Sequence, residues 1–478
     1  MRGNFINGQW VGSASCRTRE RRNPADDREL LSTAPDSDAK DAAEAVAAVA
    51  AGYHEWADRG PEARADVLNR AADILAARAD ELARELVREE GKTLSEALNE
   101  TRRTPANFRF YAGEAVRLSG QTFVTGDSNV VFTSREPVGV VVAITPWNFP
   151  LNIPSRKLGP ALAAGNGVVF KPSEVTPLVG QRIVEALLDA GLPAGAIALV
   201  HGGAEVGSAL VSDKRVGAVT FTGSSAVGAT IHKSMGPSRR SQLEMGGKNP
   251  VVVLADADLE RAADIVARGA FGLAGQACTG TSRVIVHESV HDELVERVAS
   301  IARAKRIGNG LEPGVDCGPL ATEAQLVKVR GHVDAAKAAG ARMVTGDEPL
   351  AAGLEHGQFV RPVVFTDVDR SSRLAQEEVF GPVLAVLRVG SFDEAIEVAN
   401  DTEYGLSASI VTRDIERALT FARRIESGVV KINQPTTGVA SNAPFGGIKN
   451  SSTQTFKEQA GDTMMRFFTV DKTIYLGS

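Results

Sequence analysis

Cysteine, aromatic residues and long apolar runs are scarce in this sequence of 478 residues. The only cysteines are Cys16, Cys278 and Cys317, and their wide spacing matches neither a zinc motif nor a disulfide framework. We therefore expect reduced thiols and a cytoplasmic protein without a metal centre. No apolar run reaches the roughly 18 residues of a membrane helix, and residues 1–10 lack the apolar core of a signal peptide.

An excess of positive charge is also missing. The sequence has 53 Lys and Arg against 59 Asp and Glu, a net charge of −6. This balance argues against nucleic acid as the main partner, because phosphate binding requires clustered basic residues. One basic stretch, residues 17–28, has acidic residues mixed into it, and we interpret it as a solvated loop.

The pattern of apolar residues predicts an α/β protein. Residues 1–35 are expected to be irregular, and helices are predicted over 38–56 and 61–90, the second with Pro61 in its first turn and Gly91 at its end. After residue 138, short apolar runs alternate with helical segments, which is typical of a mostly parallel sheet covered on both faces. Predicted strands are 138–144, 168–170, 197–200, 218–221 and 251–254, then 282–286, 342–344, 383–387, 408–411 and 429–432, and helices near 156–164 and 177–190.

These strands form two series, one on each side of residue 256, and therefore indicate two α/β domains that share a cleft. Residues 118–135 and 467–476 have a different character, that of exposed β-strands rich in Thr and Val. Exposed strand edges with apolar residues usually need a partner. We expect these two pieces to form an oligomerisation arm.

Three side chains are candidates for covalent chemistry. Cys278 lies in GQACTG, where small neighbours leave room for a substrate to reach a nucleophilic sulfur. Glu244 precedes a Gly-Gly turn, which suits a general base that must move. Asn148 lies just after a predicted strand and offers an amide to a developing oxyanion. From these segments alone, a buried structural cysteine, a surface carboxylate and an asparagine bonded to its own turn remain alternatives.

Two further strand ends favour a nucleotide ligand. Lys171 and Glu174 offer a cation and a carboxylate, and a carboxylate in such a place hydrogen-bonds ribose hydroxyls. Residues 221–228 follow another strand and open a predicted helix, whose backbone N–H groups can face a pyrophosphate. The glycines match neither G-x-G-x-x-G nor a P-loop.

Seven segments together resemble the aldehyde dehydrogenase superfamily, in its order and over nearly the whole chain. They are PWNFP, KPSE, FTGSSAVG, LEMGGKNP, GQACTGTSR, EEVFGPVL and PFGGIKNSS. The resemblance implies a Rossmann-type cofactor domain (1–117 and 136–246), a catalytic α/β domain (247–455) and a small β oligomerisation arm (118–135 and 456–478). It also implies an aldehyde substrate, NAD or NADP as cofactor, and a homodimer or homotetramer.

Carried over residue by residue, the resemblance implies that Cys278 is the nucleophile, Glu244 the base and Asn148 the oxyanion donor. The implied cofactor contacts are Trp147, Lys171, Glu174, Gly223, Ser224, Glu378 and Phe380. Members that transfer the acyl group to coenzyme A typically lack a glutamate at position 244, so a free acid is the expected product. A carboxylate at 174 should repel a 2′-phosphate, which predicts NAD over NADP.

Arg156 is the one lead to the substrate. It matches an arginine that binds the distal carboxylate in members that oxidise succinic or 2-oxoglutaric semialdehyde, a task suited to a planar guanidinium. Residues 278–283 and 435–438 look most like the 2-oxoglutaric semialdehyde members. Succinic semialdehyde members often carry a second arginine where this sequence has Gly272. The alternatives are a surface salt bridge for Arg156, a broad-range enzyme, a coenzyme A-acylating enzyme and a catalytically silent structural member.

Overall fold

The structure, a computed structural model, describes residues 1–126, 130–453, 456–458 and 461–477. Within these ranges the strands are β1 (Asn4–Ile6), β2 (Gln9–Val11), β3 (Thr18–Asn23), β4 (Asp26–Pro35), β5 (Thr122–Phe123), β6 (Val130–Pro137), β7 (Val140–Ile144), β8 (Gly167–Lys171), β9 (Ile197–Leu199), β10 (Val216–Thr222), β11 (Arg240–Glu244), β12 (Asn249–Val253), β13 (Thr281–His287), β14 (Arg342–Thr345), β15 (Val363–Thr366), β16 (Val383–Val389), β17 (Tyr404–Gly405), β18 (Ser407–Val411), β19 (Val429–Ile432), β20 (Ile448–Lys449) and β21 (Thr469–Leu476).

The α-helices of the same ranges are α1 (Ala39–Gly52), α2 (His54–Ala57), α3 (Pro61–Ala77), α4 (Ala79–Glu90), α5 (Leu94–Ala115), α6 (Asn152–Ala163), α7 (Pro177–Asp189), α8 (Ala204–Ser212), α9 (Ser225–Ser234), α10 (Leu259–Phe271), α11 (His291–Ala304), α12 (Glu323–Ala338), α13 (Arg373–Gln376), α14 (Phe392–Asn400), α15 (Ile415–Arg424) and α16 (Gly461–Phe467). Short 3-10 turns occur at Ala194–Ala196, Gly272–Gly275 and Glu288–Val290.

The first large sheet has seven strands in the order β11-β10-β7-β8-β9-β1-β2. Strands β11 to β9 in this order are parallel, and β1 and β2 extend the edge in antiparallel fashion. The chain runs outward from β7 in one direction and returns to place β10 on its other side. The carboxyl ends of β7 and β10 therefore form a topological switch point, where such sheets bind ligands.

The second large sheet also has seven strands, in the order β14-β15-β16-β13-β12-β18-β19. All are parallel except the edge strand β14. This sheet begins directly after the first one ends, because β11 ends at Glu244 and β12 begins at Asn249. The carboxyl edge of the first sheet consequently meets the amino edge of the second.

Each sheet separates two hydrophobic clusters, as a doubly covered sheet requires. In β7, Val141 and Ala143 pack with helices α3 to α7, while Val140 and Val142 pack with α1, α8 and α9. In β12 the same alternation sends Val252 towards helices α12 to α15 and its neighbours towards α10 and α11. Full burial of each such side chain contributes roughly 1.5–3 kcal/mol. The predicted α/β class is confirmed.

The predicted arm segments pair with each other. Strand β6 pairs with β5 and, along its whole length, with β21, which gives a three-stranded antiparallel sheet. Residues 127–129 of the first segment and residues 459–460 and 478 of the second lie outside the described residues. The strands themselves agree with the prediction, although β6 continues to Pro137.

Residues 1–35 are not irregular, and that prediction was wrong. They contain β1 to β4, and the basic stretch at 17–28 lies in the antiparallel β3–β4 pair instead of a loop. The pattern of apolar residues did not identify these strands, because most side chains of β2 to β4 are exposed or half-exposed and apolar and polar residues therefore do not alternate.

Three helix boundaries also differ from the prediction. The stretch 38–56 is divided between α1 and α2, and 61–90 is divided at Arg78, which leaves helical geometry with φ −99° and ψ 9°. Helix α6 begins at Asn152, four residues before its predicted start near 156. Pro61 and Gly91 occupy their predicted first-turn and terminal positions, Gly91 with φ 103°.

Gly91 offers a test of the packing at the end of α4. A Cβ at this position would lie 2.8 Å from the Cγ of Pro319 and 3.0 Å from the Cγ of Pro24, whereas Gly353, with φ +92°, has no atom within 4 Å of such a Cβ. Gly353→Ala should lose about 1–2 kcal/mol from backbone strain, and Gly91→Ala should lose more. Thermal unfolding midpoints measure this, and equal midpoints would contradict the packing.

Candidate active site

Two cavities meet at Cys278. One opens towards the switch point of the first sheet, and its lining includes Trp147, Gly223, Ser224, Glu378 and Phe380. The other, about 290 Å³ in volume, is largely apolar, and its lining includes Asn152, Arg156, Glu244 and Phe445. Because the thiol belongs to both linings, a ligand in either cavity reaches the same sulfur.

The loop of Cys278 is held by Asn249 at the start of β12. The Asn249 Nδ2 donates to the backbone oxygens of Cys278 (2.7 Å) and Gly280 (2.9 Å), and its Oδ1 accepts from the Ser407 amide at 3.0 Å. A Cβ on Gly247 would lie 2.8 Å from the Cys278 carbonyl oxygen. The glycine of the Gly-Gly turn is thus required by this close approach of two backbones.

Glu244 is a buried carboxyl at the end of β11, and the alternative of a surface loop carboxylate is wrong. The residue is 2% exposed, and its Oε1 accepts from the Ser452 hydroxyl at 2.8 Å. Burial, together with the nearby Glu458 carboxylate, raises the pKa of Glu244 to about 8. Sequence patterns did not predict β11, because RSQLE lacks an apolar run.

Glu458 was missed by the sequence analysis, although it connects several buried groups. Its Oε2 accepts from the Lys157 ammonium at 2.8 Å and from the Thr222 hydroxyl at 3.3 Å, and its Oε1 lies 3.7 Å from Nη1 of Arg156. Burial acts against the charge, but Lys157 and Arg156 outweigh it and lower the pKa of Glu458. No sequence motif marks Glu458, because its partners Lys157 and Thr222 lie 301 and 236 residues away along the chain.

The Cys278 thiol lies among negative charges. Burial, followed by the carboxylates of Glu378, Glu244 and Glu458, raises the pKa of Cys278 to about 12, and Arg156 opposes this effect. The thiol is therefore protonated at neutral pH, and a base must accept its proton before the sulfur becomes a strong nucleophile. Moving that proton to a neighbouring carboxylate keeps the number of buried negative charges constant.

Asn148 is buried at the carboxyl end of β7, and its side chain bonds outside its own turn. Its Nδ2 donates to the Gln276 backbone oxygen at 2.9 Å, two residues from Cys278. An amide nitrogen carries two hydrogens, so one remains for an oxygen next to the sulfur. Arg156 lies in the cavity lining with its side chain 13% exposed, which rules out the surface salt bridge.

Trp147, Glu378 and Phe380, three of the predicted cofactor contacts, lie together in the first cavity. The Trp147 and Phe380 rings meet edge to face, with centroids 5.4 Å apart. Glu378 accepts from the Gly247 amide at 3.1 Å, and the Phe380 backbone, at φ 58°, is held by the Gln325 amide through a 2.7 Å bond to its oxygen.

Two further predicted cofactor contacts, Lys171 and Glu174, line a separate crevice between α8 and α9. Lys171 and Glu174 form an ion pair at 3.8 Å there. Ser224 is the N-cap residue of α9 but makes no side-chain cap hydrogen bond, so the first N–H groups of this helix remain suited to an anion. A dinucleotide, with its ribose hydroxyls and pyrophosphate, fits these residues.

The part of the chain that the structure describes contains neither a membrane-spanning helix nor a metal-binding cluster. No helix there is long and apolar enough to cross a membrane. The same residues include no cluster of three or more His, Cys, Asp or Glu side chains that could hold a metal ion.

The sequence pattern of the aldehyde dehydrogenase family matches residues 10–474, and the chain belongs to this family. The alpha-ketoglutarate semialdehyde dehydrogenase of Haloferax volcanii is 45% identical over 477 residues, 99% of this chain and 98% of that protein. The alpha-ketoglutaric semialdehyde dehydrogenase of Bacillus subtilis is 43% identical, covering 99% and 97%. The structure of betaine aldehyde dehydrogenase from Staphylococcus aureus in complex with NAD+ superimposes with a TM-score of 0.96 at 34% identity, covering 99% and 94%. The predicted family is confirmed.

The pKa of Glu244 predicts the pH dependence of turnover. A carboxyl with a raised pKa gains its basic form only as the pH rises through about 8. If Glu244 is the base that assists hydrolysis of an acyl group bound to Cys278, the rate at which the carboxylic acid is released should therefore increase over that range. Glu458→Gln removes the neighbouring anion and should shift this limb to lower pH. Ser452→Ala removes a hydrogen bond that favours the carboxylate and should shift it to higher pH.

The rate of acid release is measured by rapid quench between pH 6 and 10 for the unaltered protein, Glu458→Gln and Ser452→Ala. Shifts of both variants in the same direction would contradict the assignment of the limb to Glu244.

Proposed function

We propose that this chain oxidises an aldehyde with a distal carboxylate, in particular 2-oxoglutaric semialdehyde, to the carboxylic acid with NAD(P). The observation that carries the substrate proposal is the place of Arg156, whose guanidinium lines the same cavity as Cys278. A planar guanidinium can bind one end of a short substrate through its carboxylate while the sulfur reacts with the other end.

Two further observations support 2-oxoglutaric semialdehyde over the succinic compound. Two relatives that share over 40% identity across almost the whole chain carry the corresponding names. Gly272, where succinic semialdehyde members often have a second arginine, is part of the cavity lining. Gly272 contributes no side chain to the cavity. Of the three arginines in the lining, Arg103 and Arg268 are exposed to solvent, and Arg156 is the more deeply buried one.

The chemistry begins with a bond between the Cys278 sulfur and the aldehyde carbon. The thiol proton passes to Glu244, directly or through water, and the carbonyl electrons move to oxygen. The second Nδ2 hydrogen of Asn148 and the Cys278 backbone N–H stabilise this oxyanion. A nicotinamide bound in the cavity of Trp147 supplies the hydride acceptor.

The acyl group then remains on Cys278 as a thioester. After Glu244 has released the thiol proton to solvent, its carboxylate takes a proton from a water molecule, whose oxygen attacks the thioester carbon, and the carbon–sulfur bond breaks. The product is the free acid, and the sulfur regains a proton. This role requires the basic form of Glu244. Burial and the Glu458 carboxylate disfavour that form, whereas Ser452, Lys457 and Lys157 favour it.

Glu174 supports NAD over NADP as the usual cofactor. Its carboxylate, 40% exposed and close to Lys171, lines the crevice between α8 and α9. It can accept hydrogen bonds from two ribose hydroxyls and repels a 2′-phosphate.

The domain division and the assembly are part of the same proposal. Residues 1–117 and 136–246 form the cofactor domain, 247–455 the catalytic domain, and 118–135 with 456–478 an arm that joins copies into a homodimer or homotetramer. Apolar side chains exposed on the arm sheet, among them Val124 at 102%, Tyr475 at 73% and Leu476 at 53%, support such a contact. Three free thiols suit a cytoplasmic location.

The substrate proposal is tested with Arg156→Gln. Loss of a charge-assisted bidentate contact should lower kcat/KM for 2-oxoglutaric semialdehyde by roughly 100-fold, with a smaller change for propionaldehyde. Formation of reduced cofactor is measured for both aldehydes and for succinic semialdehyde. The control is Arg268→Gln, at an arginine paired with Asp264, which should not change kcat/KM strongly for any of the three aldehydes. An equal loss of kcat/KM for all aldehydes in Arg156→Gln would contradict a carboxylate contact.

Cofactor choice is tested with Glu174→Gln. Because the substitution removes the negative charge but keeps a hydrogen-bonding side chain, kcat/KM for NADP should rise about tenfold, the effect of removing roughly 1.4 kcal/mol of repulsion. Initial rates with NAD and NADP give the ratio. An unchanged NADP value would show that Glu174 does not face the 2′ position.

A further inference from the structure

A buried charge pair lies directly behind Asn148. The Lys92 ammonium donates to the Glu100 Oε2 at 2.7 Å and to the Asn148 backbone oxygen at 2.8 Å. It also lies over the Phe149 ring, 4.7 Å from its centroid. The side chains of Lys92 and Glu100 are 0% and 1% exposed, so these interactions are shielded from water and salt.

Glu100 holds the other end of the same turn. Its Oε1 accepts from the backbone amides of Leu151 and Asn152, both at 3.0 Å. Helix α6 starts at Asn152 and has no side-chain cap of its own, so a carboxylate from α5 takes the role of the cap. Residues 148–152 are thus attached to one charge pair at both ends.

Lys92 keeps its charge despite its burial. Burial acts against a charged lysine, but the carboxylates of Glu100 and Glu90 outweigh it and raise the pKa of Lys92. A charged donor gives stronger hydrogen bonds than a neutral one would. The backbone on either side of the Asn148 side chain is therefore fixed, while that side chain itself has one bond, to the Gln276 oxygen.

We propose that Lys92 and Glu100 are positioning residues that hold the Asn148 amide where it stabilises the oxyanion on the substrate. This inference rests on the proposed role of Asn148 and is independent of which aldehyde is the substrate. Neither residue needs to touch the aldehyde for this role. A displacement of about 1 Å in such a group can cost about 100-fold in rate.

The test removes both charges together, because a single substitution leaves a buried unpaired ion that can prevent folding. In the Lys92→Met/Glu100→Gln variant the rate of reduced-cofactor formation in a single turnover should fall at least tenfold. The dissociation constant for NAD and the KM for the aldehyde should change less than twofold. Lys92→Arg, which keeps the charge, should recover part of the rate. If the double variant does not fold, Lys92→Arg alone, which keeps both charges but moves the donor, is compared with the unaltered protein by the same measurements, and an unchanged rate would overturn the inference.

A thermodynamic cycle with Asn148→Ala separates positioning from general stability. If the pair acts through Asn148, Asn148→Ala should slow the first turnover much less in the Lys92→Met/Glu100→Gln background than in the unaltered protein. Equal fold-losses in the two backgrounds, or an unchanged rate in the double variant, would overturn the inference.

The matched control is Arg182→Met/Glu85→Gln, which removes an ion pair of the same length, 2.7 Å, between α4 and α7. Its first-turnover rate should equal that of the unaltered protein. All rates are measured with propionaldehyde as well as 2-oxoglutaric semialdehyde, because oxyanion formation is common to both. If Asn148→Ala alone does not change the first-turnover rate, the proposed catalytic role of Asn148 fails. If Asn148→Ala lowers that rate but Lys92→Met/Glu100→Gln does not, only this inference fails.

Discussion

The short connection between the two large sheets is the constraint on which the rest of the site depends. Because β11 ends at Glu244 and β12 begins at Asn249, the carboxyl edge of one sheet must lie against the amino edge of the other. Only a residue without a side chain leaves room at 247 for the Cys278 carbonyl. The proposed base, the ligand end of the first sheet and the Cys278 loop, held by Asn249, thereby converge without any long loop.

This convergence concentrates negative charge. Burial, followed by the carboxylates of Glu378, Glu244 and Glu458, raises the pKa of the Cys278 thiol, so the sulfur becomes a strong nucleophile only after a base has accepted its proton. Buried carboxylates are tolerated where cations or backbone amides face them: Lys157 faces Glu458, and the Gly247 amide faces Glu378. A proton that moves from the thiol to a neighbouring carboxylate adds no further negative charge to this group.

The α/β class, most strands and those cavity residues that lie in recognisable motifs, such as Trp147, Glu244 and Cys278, could be predicted from the sequence. What it could not show depends on distant partners. Lys92, Glu100 and Glu458 are ordinary charged residues in the sequence, and only the folded chain buries them beside Asn148 and Lys157. Strands β2 to β4 were missed for the opposite reason, since exposed hairpins need no apolar alternation.

The central claim is that the substrate's acyl group becomes attached to Cys278 and leaves by hydrolysis that Glu244 assists. The most direct measurement is peptide mass spectrometry of Glu244→Gln after a brief reaction with NAD and 2-oxoglutaric semialdehyde. The account predicts a 2-oxoglutaryl group on the peptide that contains Cys278. In the variant this group should form more slowly, because Glu244 also accepts the thiol proton, but should then persist, whereas it is short-lived in the unaltered protein. Reduced cofactor formed without any acyl group on Cys278, or an acyl group on Cys16 or Cys317 instead, would contradict it.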